Sequence, residues 1–216
     1  MPNELSRSAF VDQQLIITPQ LYTALLQNGF RRSGEEVYRP YCQACNACIP
    51  VRVPVKQFAP NKLQRRVLKK NSDLHQEWLK PPFTDAHYAL YASYLEARHQ
   101  DGGMYPPSRD QFERFLSSSW SDTVALSLFL DEKLVGMMIT DLTLDGVSAV
   151  YSFFEPQLAA RSLGIYMVLQ LIEEAKRLGL SYCYLGYYIK NCQKMSYKNQ
   201  YQPMEALVKQ RWQLLE

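Results

Sequence analysis

The most regular hydrophobic pattern of the chain lies between residues 123 and 188. Three apolar, strand-like runs come first, and the second polar segment between them contains Asp145-Gly146, a pair typical of a tight turn. A helical pattern and an aromatic, strand-like run follow. The strand-like segments are 123–130, 134–140, 147–154 and 182–188. We expect an antiparallel meander that continues into a strand–helix–strand unit with two parallel strands.

The loop before this helix is a first candidate for chemistry. Ser162 is expected to cap the helix with its hydroxyl, and Gly179 to end it. Arg161 and Gly164 place a cation and a small residue at the helix N-terminus, where free N–H groups can receive a phosphate or an oxyanion. A glycine that only allows close packing of helix and strand is the alternative interpretation.

Shorter elements are predicted in the first part of the chain. They are a strand at 10–18, a helix at 19–28, a hairpin at 30–38 and a strand at 51–55. Thr18 and Gly29 are expected at the two ends of the helix. The alternation at 51–55 predicts that Arg52 points to the face opposite the valines.

The segment from Asn61 to Asn71 predicts a basic amphipathic helix. Five cations recur at i, i+3, i+4, i+7 and i+8 and form one continuous face: Lys62, Arg65, Arg66, Lys69 and Lys70. Leu63, Val67 and Leu74 are expected to point to the core. Like charges on one face repel one another, so an anionic partner is one interpretation and a solvated helix face is the other.

Residues 79–83, Leu-Lys-Pro-Pro-Phe, are the best candidate for a linker. A Pro-Pro pair cannot continue a helix and holds the backbone extended. We therefore expect an N-terminal domain over 1–78 and a C-terminal domain over 79–216. The second domain is expected to begin with a helix at 85–99 and another that Ser108 caps.

Composition bounds the class of protein. A chain of 216 residues can bury one good core or two small ones. No apolar run is long enough to span a bilayer, and the opening residues MPNELSRSAF lack the apolar centre of a signal peptide. Five cysteines without an export signal favour a reducing, cytoplasmic location. The net charge of +3 is too small to indicate nucleic-acid binding by itself.

Cys42, Cys45 and Cys48 lie in one short segment, each separated from the next by two residues. Thiolates on a tight turn can converge on zinc or on an iron–sulfur cluster. Both sites normally have four ligands, no neighbouring residue supplies the fourth, and Cys183 and Cys192 are expected in the other domain. We therefore favour a reduced thiol cluster with a packing or redox role over a bound metal.

Four stretches carry a resemblance to a known family: RSLGIY, YLGYYIKNCQKMSYKNQYQP, LDGVSAVYSFFEP and CQACNACIPVRV. They are similar to the tRNA-dependent protein transferases. These comprise the arginyl-tRNA–protein transferases and the short bacterial aspartate/glutamate leucyltransferases, and the modest chain length resembles the bacterial type. The family also has a cysteine shortly before the stretch that corresponds to PNELSRSAF, which this sequence lacks.

The resemblance implies an α+β fold, in which a GNAT-like acyltransferase domain accompanies a smaller, cysteine-containing N-terminal α+β domain. The predicted order of helices, antiparallel strands, helix and parallel strand permits this assignment. The phosphate-binding loop of GNAT enzymes usually contains more glycine than the stretch from Arg161 to Tyr166. This departure suggests that the loop no longer binds coenzyme A.

The activity implied by the resemblance is transfer of leucine from leucyl-tRNA to the N-terminal amine of proteins that begin with Asp or Glu, which marks them for N-degron proteolysis. The ester is already activated, so the enzyme mainly aligns amine and ester, accepts a proton and stabilises an oxyanion. No cofactor beyond the co-substrate leucyl-tRNA is implied. The alternatives are an arginyl donor, a coenzyme-A-dependent N-acyltransferase, and a non-enzymatic zinc- or RNA-binding module.

Residue types and resemblance together suggest individual roles. Asp141 is expected to receive or orient the amine, with a strand-end residue that bonds a turn as the alternative. Tyr151, Tyr187 and Tyr188 are expected to line the cleft, where they stack on the terminal adenine or donate to the ester oxygen, and Tyr151 is, with Asp141, a candidate catalytic residue. Arg39 and Arg52 are expected to bind the acceptor's carboxylate. The residues expected to contact tRNA are Lys62, Arg65, Arg66, Lys69, Lys70, Arg161, Gly164, Tyr187, Tyr188, Lys190, Lys194 and Lys198. Tyrosines that simply fill the core are the alternative for the aromatic members.

Overall fold

The structure is a computed structural model that describes residues 7–43 and 45–215, except for the side chains of Gln193 and Lys194. Its strands are β1 (Ser8–Phe10), β2 (Arg31–Ser33), β3 (Glu36–Pro40), β4 (Ile49–Pro54), β5 (His75–Leu79), β6 (Asp122–Leu130), β7 (Lys133–Leu142), β8 (Gly146–Phe154), β9 (Tyr182–Tyr188), β10 (Glu205–Val208) and β11 (Arg211–Leu214). Its α-helices are α1 (Pro19–Gln27), α2 (Lys62–Lys70), α3 (Asp85–Arg98), α4 (Arg109–Leu116), α5 (Leu163–Arg177) and α6 (Gln193–Ser196). Short 3-10 helices, Pro156–Arg161 and Tyr197–Gln200, precede α5 and follow α6.

A central sheet organises the fold. In the described part of the chain it has eight strands in the order β11-β10-β4-β9-β8-β7-β6-β5, beside a small sheet of order β1-β3-β2. Strands β6, β7 and β8 are antiparallel neighbours, and α5 connects β8 to the parallel strand β9. This confirms the mixed α+β class, the meander and the strand–helix–strand unit that the pattern predicts.

The sheet is not divided at residue 78, where the sequence predicts a domain boundary. Strand β4 lies between β9 and β10, and β5 pairs with β6 along its whole length. Strand β4 and all of β5 except Leu79 come from the predicted N-terminal domain of residues 1–78, so the sheet spans the predicted boundary. The Pro-Pro pair of the predicted linker follows the edge strand β5. The division into two domains stays a prediction.

Apolar side chains cover both faces of the sheet, since each face must be shielded from water. On one face α2 and α5 pack over a cluster that includes Val53 and Leu171. On the other face α3 and α4 bring Tyr91 and Phe112 against Phe153 of β8. Burying each such side chain contributes roughly 1.5–3 kcal/mol.

Several helix ends form as predicted. Thr18 caps α1, and its hydroxyl accepts the N–H of Leu21 at 3.2 Å. Ser108 caps α4 in the same way through the N–H of Gln111. The hairpin between residues 30 and 38 is present as β2 and β3.

Three local predictions are wrong. Residues 11–18 do not form a strand, since β1 ends at Phe10. Leu63 is 55% exposed, and Gln64 is buried in its place because its side chain closes a capping box at the start of α2. Ser162 makes no side-chain cap, because it lies in the left-handed region with a φ of 56°.

Strands β8 and β9 pair only at their beginnings. Hydrogen-bonded neighbours extend from Gly146 to Ser148 on β8 and from Tyr182 to Tyr184 on β9. Beyond Tyr184, β9 continues beside β4 while β8 continues beside β7. The two parallel strands therefore diverge, and a cleft opens between them at the level of Gly186, whose φ is +77°.

Candidate active-site cleft

The cleft between β8 and β9 contains two adjoining cavities. The inner cavity has a volume of about 400 Å³. The outer cavity, about 500 Å³, lies at the start of α5 and shares Tyr94, His99, Ser152 and Tyr197 with the inner one. The other residues around the inner cavity are Arg31, Tyr38, Met138, Ala149, Val150, Tyr151, Val168, Leu185, Gly186, Tyr187, Met195 and Lys198. The walls are mainly apolar and aromatic, which is typical of a site for a small substrate group.

Lys198 brings an amine into the inner cavity. The residue is only 8% exposed, and its Nζ donates to the carbonyl oxygen of Tyr187 at 2.6 Å. Burial, followed by the positive charge of Arg31, lowers the pKa of Lys198 to about 7, against an opposing effect of Cys192. This position does not support the predicted contact with a tRNA phosphate. An amine that is partly neutral at neutral pH can instead accept a proton.

Arg31 was not singled out by the sequence, yet it lies beside Lys198 in the inner cavity. It donates to the carbonyl oxygen of Ala149 and, at 3.4 Å, to the hydroxyl of Ser148. The signal that could have found it is the Arg31-Arg32 pair, because adjacent strand residues point to opposite faces. Arg32 enters the core, so Arg31 must point the other way.

Two of the three predicted cleft tyrosines line the inner cavity. Tyr151 and Tyr187 both border it, and the hydroxyl of Tyr187 donates to the carbonyl oxygen of Gly29 at 2.8 Å. Burial raises the pKa of both phenols, which therefore stay protonated and can donate hydrogen bonds. The structure does not support the predicted place of Tyr188 in the cleft. Tyr188 follows Tyr187 on β9 and points to the opposite face, where it lies in the core cluster under α5.

The structure does not support the predicted role of Asp141. Its side chain has no exposure, and its carboxylate is held by the guanidinium of Arg32 at 2.7 and 2.8 Å. The hydroxyls of Tyr22 and Thr123 donate to the same carboxylate at 2.7 and 2.8 Å. Because its oxygens are occupied inside the core, Asp141 ties α1 and β2 to the central sheet and is not placed to receive a substrate amine. Burial and the adjacent Asp141 raise the pKa of Tyr22.

The loop before α5 is fastened to the end of α2. Both guanidinium nitrogens of Arg161 reach the carboxylate of Asp73 at 2.8 Å, and this bond lowers the pKa of Asp73. Asn71 also donates to the carbonyl of Arg161 at 2.9 Å. Gly164 borders the outer cavity, and a Cβ there would approach Phe154 only to an ordinary contact distance of 3.4 Å. Arg161 therefore connects the end of α2 to the loop before α5. Gly164 borders the outer cavity, and its predicted contact with tRNA stays a prediction.

The cationic face of α2 is solvent-exposed and lies next to this loop. Its members are Lys62, Arg65, Arg66, Lys69 and Lys70. Lys70 donates to the carbonyl of Ala160 at 2.7 Å, and Arg65 to the carbonyl of Pro60 at 2.5 Å. In the described part of the chain none of the five forms a salt bridge with a carboxylate.

The two arginines predicted to bind an acceptor carboxylate differ in their surroundings. Arg52 is buried, forms an ion pair with Glu205 at 2.7 Å, and stacks on Tyr182 and Trp212 at 3.5 and 4.2 Å from the ring centres. Its carboxylate partner is internal, so the prediction for Arg52 is not supported. Arg39 is half-buried, with its guanidinium 4.9 Å from the ring centre of Phe30.

Lys190 is exposed in the turn after β9, where it is free to approach a polyanion. Lys194 lies in α6, and its side chain is outside the described part of the structure. The predicted tRNA contacts of these two lysines stay predictions.

The three cysteines of residues 42–48 do not form a metal site as placed. Among the described residues, no three His, Cys, Asp or Glu side chains converge as ligands. The thiol of Cys42 instead forms hydrogen bonds with the backbone of Arg7: its Sγ accepts from the N–H at 3.4 Å and donates to the carbonyl oxygen at 3.7 Å. Burial raises the pKa of Cys48, as do the charges of Cys45, Cys42 and Cys192. Cys192 is thus close enough to this segment to act on the Cys48 thiol, although it belongs to the other predicted domain.

Two family models match consecutive parts of the chain. One is described as arginine-tRNA-protein transferase, N terminus, and matches residues 1–66. The other is described as arginine-tRNA-protein transferase, C terminus, and matches residues 86–208. The chain belongs to the arginine-tRNA-protein transferase family. It is therefore a transferase.

Relatives in this family are similar along nearly the whole chain. A protein named aspartate/glutamate leucyltransferase from Pseudomonas fluorescens (strain Pf0-1) is 49% identical over 100% of this chain and 92% of its own length. A protein of the same name from Marinobacter nauticus is 50% identical over 98% of this chain and 90% of its own length.

Among solved structures, a C-terminal DUF2156 domain from Agrobacterium fabrum is similar with a TM-score of 0.50 and 13% identity, covering 80% of this chain and 53% of that one. This likeness shows the fold alone. None of the helices in the described part of this arginine-tRNA-protein transferase family member combines the length and apolar character needed to cross a bilayer.

Proposed function

We propose that the chain transfers leucine from leucyl-tRNA to the N-terminal amine of proteins that begin with Asp or Glu. The names of relatives that are 49% and 50% identical support the donor and the acceptors. The structural observation that carries the proposal is the buried amine of Lys198 inside the cleft between β8 and β9. Acylation of an amine requires a proton acceptor at the reacting nitrogen, and Lys198 has the chemistry for that step.

We propose further that the domain is GNAT-like. The antiparallel meander, the crossover through α5 and the divergence of β8 from β9 support this assignment. The start of α5 is poor in glycine and its arginine is engaged by Asp73, which disfavours a pantetheine phosphate at that place. The cleft then receives the aminoacylated end of a tRNA, and no coenzyme A is needed.

The proposed reaction consists of one acyl transfer with two proton movements. The acceptor's ammonium gives a proton to the neutral Nζ of Lys198, and its nitrogen forms the new C–N bond to the ester carbonyl carbon. The C–O bond to the ribose breaks, and the ribose oxygen takes the second proton lost by the attacking nitrogen. Lys198 then releases its proton to solvent. Because the ester is activated, alignment and proton transfer account for most of the catalysis.

Other cleft residues have supporting roles in the proposal. Tyr151 is protonated because its burial raises the phenol's pKa, and it is proposed to donate to the developing oxyanion. Tyr187 and Gly164 are proposed to border the terminal adenosine. The basic face of α2 is proposed to follow the tRNA backbone together with Lys190 and Lys194, since exposed cations such as those of α2, which form no salt bridge with a described carboxylate, can bind phosphates.

The biological setting belongs to the same proposal. A leucine added to an acidic N-terminus would mark the acceptor for N-degron proteolysis in the cytoplasm, where charged tRNA and the acceptor proteins are present together. The thiols of Cys42, Cys45 and Cys48 do not fit a metal as placed, so no step is assigned to one.

Incubation of the purified protein with leucyl-tRNA and a peptide set that varies only in its first residue tests the function. We expect leucine on the Asp and Glu peptides and little on Asn, Gln, Lys or Ala peptides. Arginyl-tRNA and acetyl-coenzyme A serve as alternative donors. Transfer from acetyl-coenzyme A but not from any charged tRNA would refute the proposal.

A further inference from the structure

The inner cavity contains two cations, Arg31 and Lys198, for which the described residues supply no counter-charge. Three other arginines have carboxylate partners, namely Arg32 with Asp141, Arg52 with Glu205 and Arg161 with Asp73. Half-buried Arg39 forms no salt bridge with a described carboxylate, but its guanidinium lies over the ring of Phe30. Arg31 and Lys198 bond only to uncharged groups among the described residues. No Asp or Glu of the described part lines either cavity.

The lack of a counter-charge has different consequences for Lys198 and for Arg31. A lysine can release its proton when buried, and the lowered pKa of Lys198 is that response. An arginine stays charged under all conditions in which proteins fold. A guanidinium that is partly shielded from water in a cleft and has no carboxylate partner is well suited to bind an anion there. Arg31 therefore points to an anionic group in the substrate.

The position of Arg31 is fixed by three parts of the fold. β2 supplies the residue, and β8 receives its N–H groups at the carbonyl of Ala149 and the hydroxyl of Ser148. On the side of β9, Gly186 has a φ of +77°, which favours glycine, and a Cβ there would crowd the guanidinium carbon at 3.0 Å. A guanidinium has five N–H donors, and the bonds to Ala149 and Ser148 use two, which leaves donors for a ligand.

The geometry of the acceptor favours its own side chain as that anion. In an N-terminal Asp the carboxyl carbon is separated from the reacting nitrogen by only two carbons, and in Glu by three. A residue that recognises this carboxylate must therefore lie close to the proton acceptor. Arg31 satisfies this condition, since its charge acts directly on Lys198 within one cavity. A cavity of about 400 Å³ also suits a single residue better than a polynucleotide backbone.

We propose that Arg31 binds the side-chain carboxylate of the acceptor's first residue and thereby selects Asp and Glu. This inference rests on the proposed function. It assigns the selection to a residue other than Arg39 and Arg52, for which the sequence predicted it. The absence of a carboxylate from the described cavity walls also disfavours a cationic arginyl side chain at this place.

The test is the kinetics of Arg31→Gln with leucyl-tRNA and four matched peptides that begin with Asp, Asn, Glu or Gln. For the parent, kcat/KM is expected to be much higher for Asp than for Asn. In the variant, kcat/KM for the Asp and Glu peptides should fall roughly 10- to 100-fold, the loss typical of a hydrogen-bonded charge, toward the Asn and Gln values. The values for the Asn and Gln peptides and the KM for leucyl-tRNA should change little.

Two results would overturn the inference. One is an equal fall for all four peptides with a raised KM for leucyl-tRNA, which would make Arg31 a phosphate contact. The other is an unchanged preference for Asp over Asn. If the parent transfers no leucine to any peptide, it is the proposed function that fails, and this outcome is distinct from both.

Arg31→Lys and Arg177→Gln complete the design. Arg31→Lys keeps the charge but loses the forked donor geometry, so an intermediate Asp preference is expected even if Arg31→Gln folds poorly. A Lys variant with the parent's full selectivity and rate would contradict the need for a guanidinium. Arg177 is an exposed arginine of α5 that pairs with Glu174, and its replacement should leave all four rates unchanged.

Discussion

The Nζ atom of Lys198 lies 2.6 Å from the carbonyl oxygen of Tyr187, inside the cavity that forms where β9 leaves β8. The other charged or titratable residues that line the cavity or act on this amine are Arg31, Tyr38, Tyr94, His99, Tyr151, Tyr187, Cys192 and Tyr197. None of these described neighbours is a carboxylate. The ammonium form therefore gains little compensation for its burial, and the neutral amine is populated near neutral pH.

Replacement of Lys198 by Met should lower the single-turnover rate of leucyl transfer by about 10²–10⁴-fold, the usual contribution of a general base. For the parent, the rate should rise as the pH increases through about 7, because Lys198 then loses its proton. In the variant only the titration of the acceptor's own amine, at about pH 7.7–8, should remain. Rapid-quench measurements from pH 5.5 to 8.5 check both points. An unchanged rate and profile would remove Lys198 from the mechanism.

The same substitution should change the pH dependence of stability. The pKa of Lys198 is about 7 in the folded protein and 10.5 in the reference state, so the unfolded chain binds more protons between these values. The free energy of unfolding of the parent should therefore rise from about pH 7 to pH 10 relative to Lys198→Met. At pH 6 the variant should be the more stable protein, by several degrees in Tm. If the Tm difference between the parent and Lys198→Met were the same at pH 6 and at pH 10, the result would contradict a buried amine without a counter-charge.

Asp141→Asn should destabilise the protein by about 3–5 kcal/mol, because it leaves the guanidinium of Arg32 buried without its counter-charge. Urea unfolding followed by circular dichroism measures the loss. Asp110→Asn is the matched control, since Asp110 is exposed and its pair with Arg114 should contribute less than about 1 kcal/mol. A substrate-contacting role for Asp141 would instead appear as lost activity with normal stability.

Arg52→Gln should weaken the fold and leave acceptor selectivity intact. The change removes the ion pair with Glu205 and the stacking on Tyr182 and Trp212, and it should cost about 2–4 kcal/mol. The ratio of rates for Asp and Asn peptides is the deciding measurement. If Arg52→Gln had normal stability but no longer preferred the Asp peptide over the Asn peptide, Arg52 would bind the acceptor's carboxylate, as the sequence suggested.

Neutralising three cations of α2, Lys62, Arg66 and Lys69, with glutamine should weaken tRNA binding uniformly across tRNA species. The slope of log K against log salt should decrease in magnitude by about 0.7–0.9 for each cation that contacts a phosphate. Filter binding from 50 to 300 mM salt would show it. The control is the triple replacement of Lys56, Lys80 and Lys133, exposed lysines outside α2. Equal effects of both triples would mean that only net charge matters.

Local patterns predicted the parts of the fold that depend on local chemistry. The meander from β6 to β8, the parallel pairing of β8 with β9 and the caps of α1 and α4 follow from alternation, turn residues and hydroxyl caps. The insertion of β4 between β9 and β10 does not, because it joins strands more than a hundred residues apart in the chain. Local patterns therefore do not show that the central sheet spans the predicted boundary at residue 78.

In the candidate site, too, local patterns predicted some features and missed those that depend on contacts between distant parts of the chain. The motif that contains Tyr187 and Lys198 was recognised, but their burial depends on how β9 and the following helix pack, which no spacing encodes. Arg31 was missed because the alternation of the Arg31-Arg32 pair places the two side chains on opposite faces but does not say which of them lines a cavity and which lies in the core. Arg52 was assigned to a substrate because its partner Glu205 lies 153 positions away.

Photo-crosslinking tests most directly whether the cleft receives the aminoacylated end of tRNA. Tyr197 borders both cavities and is 45% exposed, so a benzoylphenylalanine at this position faces the proposed site. With a stable 3′-amide analogue of leucyl-tRNA, the account predicts a crosslink that mass spectrometry maps to the terminal adenosine, and none from the same probe at Tyr105. A probe at position 197 that leaves the 3′ end unlabelled, or labels it no more than the probe at position 105, would contradict it.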